Sequence, residues 1–269
     1  MKKQNMTAYD RVLLARSKDR AGIMEYINSL FEDFIEFKGD RLGKEDGSIV
    51  GGIAMFHGVP VTVIGHRKGK TTEENIRYNF GMTSPEGYRK ALRLMKQAEK
   101  FKRPVITFID TPGAYPGLEA ESNGQSTAIA ENIAAMSSLN TPVIAIITGE
   151  GSSGGALALG VADQVWMLEN SVYSILSPEG FASILWKDSA RAAEACDVMK
   201  ITAEELLEYG LVDGVIQENE QTMKTIDGML LEELKKMKKM KGSAIAKNRY
   251  EKFRKIDGAY LGEGQQLKR

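Results

Sequence analysis

Apolar positions change period several times along the chain, and each change predicts an element. Up to residue 38, apolar positions such as Ile27, Leu30 and Phe34 sit among charged ones, which reads as helix. Thr7 and Asp10 have capping-box spacing, and Ser17 offers a second N-cap. The period then shortens: Ile49 to Phe56 and Val59 to Gly65 are rich in β-branched residues and flank His57 and Gly58, predicting a hairpin. A polar loop follows from Arg67 to Phe80. Ser84 and Pro85 supply an N-cap and a proline at N1 for a helix whose Tyr88, Ala91, Leu92, Met95 and Ala98 share one face.

Two short apolar runs come next, PVITFID from Pro104 and PVIAIIT from Pro142, separated by an Ala-rich helical stretch from about Ser122 to Leu139. Runs this apolar fit strands buried on both faces, and strand, helix and strand make a right-handed βαβ unit with parallel strands. Val165 to Leu168 and Val172 to Leu176 predict further strands; Ser177 and Pro178 open another helix. Thr202 and Glu205 form a capping box before a helix that Gly210 ends, and helices run from about Gln221. The economical reading is one α/β domain with helical ends: residues 1–38, a core of 39–218, and 219–269 packed on the same domain.

Composition narrows the function classes. The chain has 269 residues, with 36 Lys plus Arg against 36 Asp plus Glu, one Cys and two His. Zero net charge argues against a dedicated nucleic-acid site, and no apolar run reaches membrane-spanning length. The start MKKQN lacks a secretory pattern and Cys196 stands alone, so a cytoplasmic location is expected. One Cys and two His are too few for a thiolate metal centre, so no metal is expected here. Charge is nevertheless segregated: residues 235–255 hold ten basic and one acidic residue, and residues 25–46 hold seven acidic and three basic. These are solvated helix faces or docking surfaces for a partner.

Both apolar strands end in glycine-rich loops, TPGAYPG from Thr111 to Gly117 and GEGSSGG from Gly149 to Gly155, the second leading into a helical run. Ligands in open α/β sheets bind beyond the carboxyl ends of the strands, so both loops should face one site. Neither loop carries the lysine of a phosphate-binding loop, and GEGSSGG matches a dinucleotide fingerprint only in part. A developing enolate or thioester oxyanion held by backbone N–H groups suits a cradle with no cation. Ser153 as nucleophile would need a histidine, and His57 and His66 both lie upstream, where surface or hydrogen-bonding roles fit them better.

These residues carry a family resemblance. The stretch from IVGGIAMFHG to TPGAYPG, with GEGSSGGALALGVAD and YSILSPEGFASILWKD, resembles the carboxyltransferase alpha subunits of bacterial acetyl-CoA carboxylase over about residues 8–218. The resemblance implies a crotonase-like and Clp-protease-like ββα superhelix with a second, nearly perpendicular sheet and flanking N- and C-terminal helices. It implies carboxyl transfer from carboxybiotin, borne on a separate biotin carboxyl carrier protein, to acetyl-CoA. Implied partners are a beta chain with a four-cysteine zinc ribbon, in an alpha2beta2 assembly, and an ATP-using biotin carboxylase in the larger complex. It also implies that Gly154 and Gly155 donate N–H groups to the ureido oxygen, with Gly113, Ala114, Gly151, Ser153 and Ala156 lining the pocket.

Three further expectations bear on rival readings. A hydratase or decarboxylase on the same fold would need carboxylates over the substrate, and Glu150 and Glu119 are near in sequence; a non-catalytic assembly subunit would need neither. Arg67, Lys68 and Lys70 either meet the carrier or coenzyme A phosphates or form a solvated loop. Lys200, in a Val-Met-Lys-Ile setting like that of biotinylated lysines, leads straight into a capped helix and is set aside as a biotin site.

Overall fold

Eight strands hydrogen-bond into one sheet in the computed structural model, which describes residues 6–256. The chain runs α1 (Ala8–Ala15), α2 (Ile23–Leu30), β1 (Glu32–Glu36), β2 (Ile49–Phe56), β3 (Val59–His66), α3 (Thr72–Arg77), α4 (Pro85–Lys100) and β4 (Val105–Thr111). It continues through α5 (Leu118–Ser122), α6 (Gln125–Ser138), β5 (Val143–Ser152), α7 (Ser153–Gly160), β6 (Gln164–Leu168), β7 (Val172–Ser174) and α8 (Pro178–Trp186). Last come α9 (Ala192–Met199), α10 (Ala203–Glu208), β8 (Gly214–Ile216), α11 (Thr222–Met237) and α12 (Gly242–Lys255). The order across the sheet is β1-β2-β3-β4-β5-β6-β8, with β7 paired to the far end of β5.

The predicted βαβ unit is present: β4 and β5 pair in parallel from Val105↔Val143 to Ile109↔Ile147, with α6 between them. Both strands are buried on both faces, as their apolar sequences require. The hairpin of β2 and β3 turns at His57 and Gly58, both with positive φ. One core cluster lies between the sheet and the terminal helices, joining Tyr26, Ile27 and Phe31 to Ile226, Leu230 and Ile245; the other packs α4, α6 and α7 on the opposite face. The basic stretch of α11 and α12 is partly inward: Arg249 is 1% exposed, donating to the Asp163 carboxylate and to the carbonyls of Met136, Leu139 and Thr141. Among the described residues no helix is long and apolar enough to cross a membrane.

Several expectations are corrected. The N-terminal segment is not all helix: α2 ends at Leu30, Phe31 is extended, and Phe34 and Ile35 lie in edge strand β1. Glu32, Asp33 and Glu36 put charge on that edge, which discourages pairing with another chain. Gly22, not Ser17, precedes α2, and Ser17 Oγ instead accepts from the Asp19 N–H. The polar loop contains α3, capped by Thr71. The strands join into one sheet rather than two: beyond its pairing with β6, β5 pairs Glu150 to Ser152 with β7, while Gly151 still pairs with Thr111 of β4. Residues 1–5 of the N-terminal segment and 257–269 of the C-terminal one lie outside the described residues.

His66, expected at the surface or in a hydrogen-bonding role, is not at the surface. It closes β3 opposite Ile49 and is 2% exposed. Burial, reinforced by the Lys68 charge, pushes its pKa down to about 3 despite a backbone contact with Phe108. The unfolded chain therefore takes up a proton near pH 6.5 that the folded chain refuses. Stability should fall by up to about 1.4 kcal/mol per pH unit as pH drops from 6.5 toward 3, on account of this group. Denaturant melts across this range should show a shallower slope for His66→Leu; an unchanged slope would refute the assignment.

Candidate functional site

The two glycine-rich loops meet at the carboxyl ends of β4 and β5. A Cβ built on Gly155 would lie 2.7 Å from Ala114 N, 2.8 Å from Gly113 C and 3.0 Å from the Tyr88 hydroxyl oxygen. Only a glycine lets the start of α7 rest on the Gly113–Ala114 peptide. Gly113 itself has φ +140°, open to glycine and strained for other residues. Behind the contact, Tyr88 packs with Ala128 and Ala158, with Ala114 and Ile129 against them. Burial raises the Tyr88 phenol pKa, so the ring serves as a neutral packing surface.

Side chains hold the first loop from below. Thr111 Oγ1 donates to Gly81 O at 2.7 Å and accepts from Gly113 N–H at 3.1 Å. Gln125, at the start of α6, donates to Thr83 O and Tyr115 O, while Tyr115 N–H donates to Thr83 O. The second loop passes directly from strand to helix. Ser153 takes φ +55° at that corner, and α7 leaves the Ser153, Gly154 and Gly155 N–H groups without partners inside the helix. They carry the partial positive end of the helix, without any charged side chain in the cradle. The arrangement suits a small delocalised oxyanion that has to be held and then released.

The expected site residues divide by position. Gly113, Ala114, Ser153 and Gly154 are at least partly exposed around the cleft, and Gly155 forms its buried floor. Gly151 and Ala156 are buried, Gly151 beneath the Tyr173 ring and Ala156 in the core under α7, so their side-chain positions face inward. Beside Ser153 and Gly154 opens a cavity of about 650 Å³, lined mostly by apolar side chains of β7, α8 and the α9–α10 region, among them Ile175, Phe181, Val198 and Leu206. Ile175 is 76% exposed and Val198 56%, so this wall offers apolar surface to a ligand or partner.

Other charged candidates are already engaged. Lys70 pairs with Glu25 at 2.8 Å, Arg67 lies over the Tyr78 ring 3.9 Å from Glu36, and Lys68 points inward to Asp110 and Glu150. Of the three cations only Lys68 turns inward, while Lys70 stays exposed. Glu150 also receives Arg16 Nε at 2.7 Å, and exposed Glu119 pairs with Lys44. His57 binds Asp227 at the other end of the sheet, and Lys200 caps α9 and pairs with Glu205. Cys196 is buried, with its thiol pushed up to about 11, chiefly by burial. Arg16 escaped the sequence reading, and Lys68 stands out in it only as a loop cation; the signal for an inward partner was the lone Asp110 ending an apolar strand.

A family profile described as acetyl co-enzyme A carboxylase carboxyltransferase-like matches residues 2–257. An acetyl-coenzyme A carboxylase carboxyl transferase subunit alpha from Clostridium acetobutylicum is 57% identical over 94% of this chain and 95% of its own length. One from Bacillus velezensis is 54% identical, over 94% and 80%. A Natranaerobius thermophilus chain named for subunits beta/alpha is 56% identical over 94% of this chain, which spans 43% of it. Among solved structures, a transcarboxylase 12S core superposes with TM-score 0.69 at 19% identity, over 86% of this chain and 46% of that one. A Pseudomonas malonate decarboxylase hetero-dimer gives TM-score 0.63 at 17% identity, over 81% and 93%. These last two bear on the fold alone.

The loop contact has a measurable signature in stability. Gly155→Ala should cost about 1–3 kcal/mol, because the added methyl forces the Gly113–Ala114 peptide away. Ser153→Gly should be neutral or stabilising by up to about 1 kcal/mol, since it relieves a left-handed serine. Urea melts of the two variants in parallel decide; equal effects would mean that the loops do not touch as described.

Proposed function

The chain belongs to the acetyl co-enzyme A carboxylase carboxyltransferase-like family, and we propose that it is the alpha chain of a cytoplasmic carboxyltransferase that makes malonyl-CoA. In this reading it works with a separate beta chain in an alpha2beta2 assembly. A biotin carboxyl carrier protein brings the carboxyl group, loaded by an ATP-using biotin carboxylase, and acetyl-CoA receives it. Zinc belongs to the beta chain's ribbon.

The observation that carries this reading is the meeting of two glycine loops that carry no cation, with the N–H groups at the head of α7 lacking partners inside the helix and the histidine at this end of the sheet buried and neutral. Gly154 and Gly155 N–H groups stabilise the ureido oxygen as negative charge develops when the carboxyl group leaves as CO₂. The ureido nitrogen then takes the acetyl methyl proton, so no side chain of this chain has to act as base. His66, buried and neutral, is consistent with that division of labour. The apolar cavity beside Ser153 supports the reading, since it offers room for an apolar ring or a surface for a partner chain. A hydratase reading loses its acids: Glu150 is held by Arg16 and Lys68, and Glu119 by Lys44.

Two results test the proposal. The purified chain should show no malonyl-CoA-dependent carboxylation of free biotin, and addition of a beta chain should restore it; turnover by the chain alone would refute the shared site. Within the assembled enzyme, Ser153→Ala should keep most of the rate, whereas Gly155→Ala should lower turnover by about 10² to 10³ through displacement of an oxyanion donor. Equal losses in both variants would instead give the serine hydroxyl a chemical role.

A further inference from the structure

Below the two loops lies a group of charges that the reaction outlined above does not use. Three neighbouring strands contribute to it at their carboxyl ends: Lys68 two residues beyond β3, Asp110 in β4 and Glu150 in β5. Lys68 Nζ donates to Asp110 Oδ1 at 2.6 Å and to Glu150 Oε2 at 3.2 Å. Asp110 Oδ1 also accepts from the Glu150 N–H at 3.0 Å, and its carboxylate rests on the Gly149 backbone, where any Cβ would collide with it. The lysine stem is covered by Gly81, whose carbonyl takes the Thr111 hydroxyl bond. Arg16 completes the group from the N-terminal segment, bridging Glu150 and Glu179.

The backbone alone does not fix the loops here. The β4–β5 ladder is regular up to Ile109↔Ile147 and resumes only at Thr111↔Gly151, so β5 carries two extra residues across the gap. Asp110 and Glu150 stand in that gap, one residue before Thr111 and one before Gly151. Where ladder bonds are missing, the side-chain group sets how far apart the strand ends stand and how the following residues are aimed.

From this we infer that Lys68 is a positioning residue: its ammonium ties the ends of β4 and β5 together and so holds the Gly113–Ala114 peptide against the head of α7. It also neutralises two carboxylates that would otherwise set negative charge beneath an oxyanion. The inference rests on the proposed oxyanion role of Gly154 and Gly155. Burial lowers the proton affinity of Lys68, but the Asp110 and Glu150 charges outweigh it and leave the pKa raised, so the lysine stays charged throughout the working range.

The experiment uses the alpha and beta chains assembled together, with acetyl-CoA and carboxybiotin as substrates. Lys68→Met should lower kcat by about 10- to 100-fold while KM for acetyl-CoA moves by less than about threefold, as expected when aim rather than binding is lost. Amide hydrogen exchange should rise in residues 111–114 and 151–156 together. Lys68→Arg, which keeps the charge and both acceptors, should recover most of the rate. If Lys68→Met does not assemble, Asp110→Asn, which keeps the acceptor for Glu150 N–H but removes the charge, should give the same paired loss. Unchanged kcat, or a loss of rate with exchange unchanged in both loops, would overturn the inference. Gly155→Ala separates the two levels: full turnover in that variant would refute the oxyanion role, whereas its loss with Lys68→Met unaffected would refute only the positioning.

Discussion

The close approach of the Gly155 backbone to the Gly113–Ala114 peptide is the constraint on which the rest of the site depends. No side chain fits between them, so position 155 has to be glycine, and α7 has to begin at once after β5 without a linking loop. That abrupt start puts Ser153 in the left-handed region and strands three N–H groups at the cleft. The helix can be brought this near only because small residues lie behind it. Ala128 and Ala158 pack with Tyr88, which fills the space below the contact and reaches toward it with its hydroxyl.

The zero net charge of the chain hides how much of the charge is internal. Arg16 reaches from the turn after α1 to Glu150 and Glu179, while Arg20 donates to the Thr148 carbonyl and pairs with Glu218 at 2.8 Å. Short N-terminal helices therefore fasten the back of the site, and β1 extends the same sheet. On the other side Arg249 satisfies three carbonyls and one carboxylate that the end of α6 and the start of β5 and β6 leave without ladder partners. Isolated buried cations are costly; each of these is matched by a carboxylate within bonding distance.

Much of this could be read from the residues. The βαβ unit followed from two apolar runs with an Ala-rich helix between them, and the capping boxes at Thr7 and Thr202 form as their spacing requires. The placing of both glycine loops at strand ends followed from the same pattern. What local sequence did not contain was pairing. EDFIE looks like the tail of an amphipathic helix until β2 offers it an edge, and tertiary context then overrides the helical period. The burial of His66 and the inward turn of Lys68 were hidden for a like reason, since both depend on which strands flank β3, whereas Lys70 stays exposed. Lys68 and Asp110 are 42 residues apart, and only the parallel crossover brings them within 2.6 Å.

The absence of an activated nucleophile beside Ser153 acquires a physical cause in this arrangement. A serine at the corner of a strand and a helix resembles a nucleophile's position, yet activation needs a base with appreciable proton affinity. His66 is the histidine at this end of the sheet, and burial together with Lys68 holds its pKa near 3. His57 is at the opposite end, committed to Asp227. The carboxylates nearest the loop are bound to Lys68 and Arg16, where removing a proton from substrate would compete with a strong ion pair. What remains at the loops is the row of backbone N–H groups that opens α7, a fixed dipole that stabilises negative charge without exchanging protons. A site of this kind suits a reactant that supplies its own base, the part that the proposed function gives to the ureido group of carboxybiotin.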